Sequence, residues 1–179
     1  MLGALDGLSE SKWEKPGVCG WWSVKEIIAH LASFELVLVE GLASVLDGGE
    51  TSTLTRLTQM DPDTWNNDEV GRRQALSPAE TLAEYRAHYA GVKSLIGRIP
   101  RETLRRTGTL PWYGIEYDLE DFFAYNYYGH KREHCAQINV YRDRLKEEAR
   151  LAAEQSANRG HNVARAAGVD ETAGAPGGD

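Results

Sequence analysis

The chain has 179 residues and a formal net charge of −7, which favours one domain with a real core and argues against nucleic acid as a partner. The sequence has no uninterrupted run of about 18 apolar residues, so no membrane span is predicted. The first residues lack the basic and apolar segments of a signal peptide. Two cysteines, Cys19 and Cys135, do not make a disulfide framework, so a reduced cytoplasmic setting is the simplest interpretation.

The first long helix is predicted to begin at Ser23. The sequence SVKE at residues 23–26 is a capping box, in which the serine hydroxyl accepts a backbone N–H and the glutamate reaches back. Apolar residues then recur at helical spacing, with Glu35 as the one polar residue in the stripe. The sequence DGG at residues 47–49 predicts the end of the helix, because glycine readily adopts the left-handed cap.

The middle of the chain divides into an irregular stretch and a second long helix. Residues 48–76 have no sustained periodicity and predict a long ordered loop or short helical turns, and such a loop inside one domain is often functional. The sequence SPAE at residues 77–80 predicts the second helix, with Ser77 as the cap and proline at the first helical position. Pro100 stops or bends this helix.

A third long helix is predicted from about Asp118 to about residue 150. No convincing strand precedes it, so the expected fold class is all-α, with helices long enough for a bundle. Residues 1–150 would form the bundle domain. Residues 151–179 are rich in Ala, Gly and Asp and are interpreted as a mostly disordered tail.

Polar residues occupy the inward face of this third helix, namely Asn126, His130, His134 and Gln137. Burying a polar group without a partner costs roughly 1–3 kcal/mol, so four on one stripe suggest a shared partner. The spacing of the two histidines suits two imidazoles on one metal ion. The alternative interpretation is a face turned to water or a satisfied polar network.

A metal would need a further ligand, and His30 in the first long helix is the first candidate. Alone it would be a histidine at the boundary of the apolar face, but opposite H-x-x-x-H it is a plausible third ligand. His88 is a weaker candidate, and His161 is discounted because it lies in the predicted tail. Three imidazoles would leave a position open for water or substrate.

Other candidate site residues surround these histidines. Asn126 and Gln137 each lie one helical turn from a ligand and could fix the histidine tautomers. Glu133 is a candidate general base, although glutamates are common on helix surfaces. Cys135 points about 100° away from His134 and is assigned a structural role. Four loop residues could wall a pocket or, as the more common alternative, anchor loops on the bundle: Trp65, Asn66, Trp112 and Tyr113.

Three segments, WWSVKEIIAHLASFE, LSPAETLAEY and YYGHKREHCAQI, resemble the DinB-like superfamily, above all its YfiT-like and ClbS/DfsB-type four-helix bundles. The likeness covers about residues 5–145. It implies a three-histidine site for a divalent metal, usually zinc or nickel, at His30, His130 and His134. Relatives include metal-dependent hydrolases, thiol-dependent transferases and isomerases, and self-resistance proteins, so the fold carries over better than the reaction.

Such proteins normally begin with a full helix, whereas only the stub LGALDGL stands in its place here. The expected fold is therefore a DinB-like four-helix bundle with the first helix truncated in this chain. Either the true start lies upstream, or a second chain or the tail covers the groove, because soluble monomers seldom leave a large apolar strip in water. A homodimer is the expected assembly.

The predicted function is that of a metal-dependent hydrolase or thiol transferase acting on a small electrophile, with a low-molecular-weight thiol as a candidate cosubstrate. One alternative is a self-resistance protein that sequesters a small molecule without turnover. Another is a metal-free structural bundle. The expected partners are a small-molecule substrate and a second copy of the chain, with neither nucleic acid nor a membrane.

Overall fold

A computed structural model describes residues 1–48 and 51–168 of the chain, with side chains described as far as residue 163. The described residues form no β-strand, only an isolated bridge between Cys19 and Trp22, so the predicted all-α class is confirmed. The helices are α1 Leu2–Leu5, α2 Glu10–Trp13, α3 Val24–Leu46, α4 Ser52–Gln59, α5 Pro62–Arg72, α6 Pro78–Ile96, α7 Arg101–Leu104, α8 Leu119–Phe122 and, after a π-helical segment Phe123–Gly129, α9 His130–Gly168.

The two long central helices begin as their capping boxes predict. At the start of α3 the Glu26 N–H donates to the Ser23 hydroxyl, and the Ser23 N–H donates back to the Glu26 carboxylate at 2.7 Å. The same reciprocal pair joins residues 77 and 80 at the start of α6. Gly48 follows α3 with a φ of +68°, as the predicted cap requires, whereas residue 49 lies outside the described residues.

Helix α3 is the central element of the core. It packs most extensively on α6 and also contacts α2, α4 and α5. By length and composition it is apolar enough to cross a membrane, with a mean hydropathy of 1.6. However, 72% of that apolar window is buried inside the protein, which is the arrangement of a core helix in a soluble bundle.

The irregular stretch between the long helices folds as the short helices α4 and α5. Glu40 of α3 fixes the start of α4, because its buried carboxylate accepts the backbone N–H groups of Thr53 and Leu54 at 3.2 and 2.7 Å. Arg73, just after α5, bridges Glu69 at 2.8 Å and Glu84 of α6 at 2.7 Å. These contacts attach the segment to the two central helices.

The last helical stretch begins at its predicted cap but continues further than predicted. Asp118 caps α8 by accepting the N–H of Asp121 at 2.9 Å. Helix α9 continues to Gly168 instead of ending at about residue 150; residues 169–179 lie outside the described part, and the mostly disordered tail stays a prediction. The chain clusters into two compact units, Met1–Ile138 and Asn139–Asp179, and the domain boundary near residue 150 stays a prediction.

Candidate metal centre

Helix α3 and the first turns of α9 bring three histidine rings together. The Nε2 atoms of His30 and His130 are 2.9 Å apart, and those of His134 and His130 are 3.0 Å apart. The ligand atoms of all three residues lie within 4.8 Å of one another. His30 and His134 are buried and His130 is half-buried. His88 lies elsewhere, 3.1 Å from the Ala32 carbonyl.

The tautomer of His134 is set by Gln137, one turn further along α9. Gln137 Oε1 lies 2.8 Å from His134 Nδ1, so Nδ1–H donates to the amide oxygen and Nε2 presents its lone pair to the other rings. His130 Nε2 faces two other Nε2 atoms, and one proton can make a linear hydrogen bond to only one of them. The three rings therefore have no complete set of partners among themselves.

The three imidazoles are held in their neutral form. Burial, with smaller contributions from the neighbouring histidines, lowers the pKa of His30 to about 2. Burial and the adjacent charges of His134 and Lys131 lower the pKa of His130 to about 4. Since these values lie below neutral pH, the rings are uncharged at pH 7, which is the state in which imidazole binds a metal.

The residues fit a divalent ion. A tetrahedral zinc with Zn–N bonds of 2.0–2.1 Å places its ligand nitrogens about 3.3 Å apart, slightly more than the 2.9 and 3.0 Å measured here. Imidazole suits zinc, copper, iron and nickel. Three protein ligands also leave a coordination position for another molecule. His30 Nδ1 is buried without a described partner, so Gln137 is the one ring-orienting acceptor among the described contacts.

Aromatic rings pack against the histidine rings. The ring of Trp22 lies 4.8 Å from that of His30, and Phe34 lies 4.9 Å from His30 and 4.6 Å from His130. Trp65 stands behind Phe34 at 4.9 Å and is 0% exposed. The structure thus differs from the predicted pocket wall at Trp65, which is a core residue supporting the ring next to the ligands.

Two cavities flank the turn that carries Trp22. One, of about 360 Å³, is lined by Asn66, and the other has a volume of about 460 Å³. Trp21, Trp22 and Asn67 line both cavities. The buried Oδ1 of Asn66 has no described partner, and a role for this residue in a substrate pocket stays a prediction. Trp22, which the residue-by-residue reading did not single out, connects these cavities with His30.

Trp112, Tyr113 and Asn126 lie away from the ring nitrogens. Trp112 and Tyr113 pack against Phe122, at 5.4 and 4.9 Å between ring centroids, as loop anchors do. Asn126 lines a cavity together with Tyr113, and the described hydrogen bonds of the three histidine rings do not include it. Asn126 lies in the π-helical segment, whose wider turns replace the α-helical spacing from which its role was predicted.

Glu133 is exposed on α9. Burial lowers the pKa of His134, and the Gln137 hydrogen bond and the Glu133 charge oppose that shift. Glu133 thus acts on the cluster through its charge, and its role as a general base stays a prediction.

A second polar cluster joins the same two helices. Glu35, 0% exposed, forms an ion pair with Lys131. Burial raises the pKa of Glu35 and lowers that of Lys131, and their mutual contact opposes both shifts. In the sequence, this cluster was visible only as the interruption of an apolar stripe by Glu35. That interruption does not identify Lys131 as the partner of Glu35.

The central and last helices of this bundle bring three imidazoles together. The protein is therefore a helical bundle with a candidate metal site. Within that class, residues 1–138 match the family model of the DinB superfamily. The chain belongs to the DinB superfamily, which confirms the family expected from the sequence. Searches of curated proteins and of solved structures returned no significant match.

Proposed function

We propose that the protein is a metal-dependent enzyme acting on a small electrophilic molecule, as a hydrolase or thiol transferase. His30, His130 and His134 would hold a divalent ion, with zinc or nickel as the first candidates. One observation carries this proposal: three neutral rings turn their Nε2 atoms toward a common point and cannot satisfy one another. Membership of the DinB superfamily is compatible with a metal-dependent function.

The metal, when bound, would supply Lewis acidity that lowers the pKa of a water or thiol. The chain's own residues have separate tasks. Gln137 holds the His134 ring in the tautomer that presents Nε2, and Phe34 and Trp22 pack against the His30 ring. Trp22 lines two cavities and its ring contacts that of His30, so this side of the cluster is the proposed approach for the reacting molecule.

The cavities beside Trp22 support a small substrate. Their volumes of about 360 and 460 Å³ lie in the range of small-molecule pockets. Indole rings and the carboxamides of Asn66 and Asn67 line the smaller one, which suits a molecule with an apolar body and a few polar groups, whereas the larger one also has charged walls that include Lys25 and Glu26. The net charge of −7 disfavours a polyanionic substrate. The test must distinguish zinc from nickel as the proposed metal. It must also determine whether a low-molecular-weight thiol is a cosubstrate.

The test begins with metal analysis of the purified full-length protein, for which we expect about one ion per chain. Metal-loaded protein is then incubated with esters, epoxides, strained rings and thiol adducts, with and without a low-molecular-weight thiol. Turnover lost in His134→Ala but kept in His88→Ala supports the proposal. Tight binding of one compound without any turnover would replace catalysis by sequestration, and absence of metal would refute the site.

We also propose a cytoplasmic homodimer. Cys19 and Cys135 are both free thiols, as a reducing compartment favours. Residues 146–163 of α9 are exposed along their whole length, with Leu151 and Val163 among them. A helix with no packed face is marginal in water, so a second copy is proposed to cover it. Light scattering that finds a monomer at every concentration would overturn this assembly.

A further inference from the structure

We propose that the Glu35–Lys131 ion pair positions the metal centre by fixing how α9 approaches α3, so that the three ring nitrogens converge. The inference rests on the proposed function, since it assigns the pair a role toward the metal ligands. Glu35 and Lys131 are positioning residues in this account, because neither contacts the ring nitrogens.

The first observation is where the two residues stand in the chain. Lys131 directly follows His130, and Glu35 lies five residues after His30, or about 7.5 Å along α3 at 1.5 Å per residue. The ion pair and the contact between the rings of His30 and His130 are thus two separate bridges between the same helices. Two such bridges fix both the distance and the rotation of one helix against the other.

The second observation is the aromatic enclosure of the lysine. Its Nζ atom lies 3.4 Å from the ring centroid of Tyr127, 4.7 Å from that of Tyr89 and 5.6 Å from that of Tyr85. Tyr85 stacks on Tyr89, and Tyr89 stacks on Tyr127, with interplanar angles of 10°. The ammonium therefore gathers α3, α6 and the π-helical segment at one point, and cation–π attraction strengthens as water is excluded.

The third observation is the π-helical segment itself, which ends at Gly129, immediately before His130. The His130 N–H donates to Tyr125, five residues earlier, and such wide turns are rare and occur mostly at functional sites. If this segment were α-helical instead, His130 and Lys131 would be rotated together around the helix axis and would face another direction. Because Lys131 must meet both Glu35 and Tyr127, the ion pair selects the register that aims His130 at His30.

A buried ion pair is a poor source of stability, because desolvation offsets much of the attraction and apolar residues of similar volume often do as well. Its better-attested role is to specify register. The chain offers a matched control in Arg73 and Glu84, 2.7 Å apart. That pair joins the end of α5 to α6 and contacts neither α9 nor the histidine rings.

The experiment uses the full-length chain with Glu35→Leu and Lys131→Met combined, since a single change leaves an unpaired buried charge. Zinc affinity is measured by competition with a chromophoric chelator, and stability by urea unfolding of the metal-free protein. We expect the zinc dissociation constant to rise at least about tenfold, with a urea midpoint close to that of the wild type. Glu84→Gln should lower the midpoint and leave the zinc dissociation constant unchanged.

A conservative variant and a metal-free readout complete the test. Glu35→Gln keeps an oxygen for Lys131 but removes its counter-charge, so it should lower the urea midpoint while holding the zinc dissociation constant within about threefold of the wild type. In metal-free protein, nuclear Overhauser contacts between the rings of His30 and His130 should be present in the wild type and lost in the double variant. A double variant that keeps these contacts and the wild-type affinity overturns the inference. A wild type that binds no zinc or nickel refutes the proposed function, and the ring contacts then decide the positioning role by themselves.

Discussion

The histidine cluster and the Glu35–Lys131 cluster connect the same two helices, yet their chemistry is opposite. The first gathers three neutral rings of the same kind, whose Nε2 atoms are 2.9 and 3.0 Å apart in the two bridging contacts without a complete hydrogen-bond scheme. The second pairs opposite charges and surrounds the cation with tyrosine faces. The difference separates a cluster of like neutral groups, which a bound ion would complete, from a cluster held by the attraction of opposite charges, and buried polar groups without a complete set of partners persist only for a reason.

The largest expected effect comes from His134→Ala, which removes one of the three nitrogen donors. Binding a structural zinc is worth about 10–16 kcal/mol, so losing one of three ligands should weaken affinity on the order of 100-fold or more. Metal content after dialysis should fall well below one ion per chain, and turnover should disappear with it. The helical circular-dichroism signal should persist, because the apolar core around α3 is unchanged.

His88→Ala is the matched control for that experiment, because His88 contacts only the Ala32 carbonyl among the described hydrogen bonds. It should retain wild-type metal content. Loss of metal from both variants would mean that general destabilisation, and not the loss of a ligand, explains the His134 result. If both variants kept their metal, the proposed distinction between the histidine cluster and the Glu35–Lys131 cluster would not hold.

Gln137→Leu should have the next largest effect on metal affinity. The change removes the acceptor that lies 2.8 Å from His134 Nδ1 and frees the ring to change tautomer. Loss of such partners typically weakens metal binding about 10–100-fold. Chelator competition measures the change, and Gln137→Glu, which retains an acceptor oxygen, should stay much closer to the wild type. Equal losses in both variants would contradict an orienting role.

The sequence supported local predictions better than long-range ones. The capping boxes that start with Ser23 and Ser77 depend on residues three apart, so local chemistry was enough. The pairing of His30 with the H-x-x-x-H histidines could be expected for two reasons. Helical periodicity predicts which side of each helix faces the core, and the family resemblance implies a three-histidine site at these positions. Helix α3 begins at its predicted start, and the helical stretch that leads through α8 into α9 begins at Asp118, also as predicted.

Interactions that depend on distant partners or on unusual backbone could not be predicted in this way. Glu35 was visible as a polar interruption, but nothing in its surroundings points to Lys131. Asn126 was assigned by α-helical spacing, which the π-helical segment changes. Residues 151–168 looked disordered from their composition, but alanine is the strongest helix former, and Arg150 pairs with Glu147 and Glu154 on the exposed surface.

Glu40→Gln tests a second buried acid of α3, one that accepts backbone hydrogen bonds where Glu35 pairs with a lysine. The Glu40 carboxylate accepts two backbone N–H groups at the start of α4, and the amide can accept with only one oxygen and no charge. Hydrogen bonds to a charged group are worth about 1.5–3 kcal/mol, so we expect a loss of about 1–2 kcal/mol in urea unfolding. Zinc affinity should stay unchanged. A clear weakening would mean that changing either buried acid of α3, and not Glu35 in particular, disturbs the histidine cluster.

The smallest effect is expected from Cys135→Ser, although Cys135 stands next to His134 in the chain. The half-buried side chain lines a cavity of about 460 Å³ together with Tyr85 and Lys131, on the side of the ion pair, and it is not among the converging ligand atoms. A serine of nearly equal size should change stability by less than about 1 kcal/mol and leave metal content unchanged. Turnover, once a substrate is identified, should remain within about twofold of the wild type. If Cys135→Ser abolished turnover while His134→Ala retained it, a cysteine nucleophile would replace the metal mechanism, and the tyrosine-lined side would become the reactive side of the helix pair.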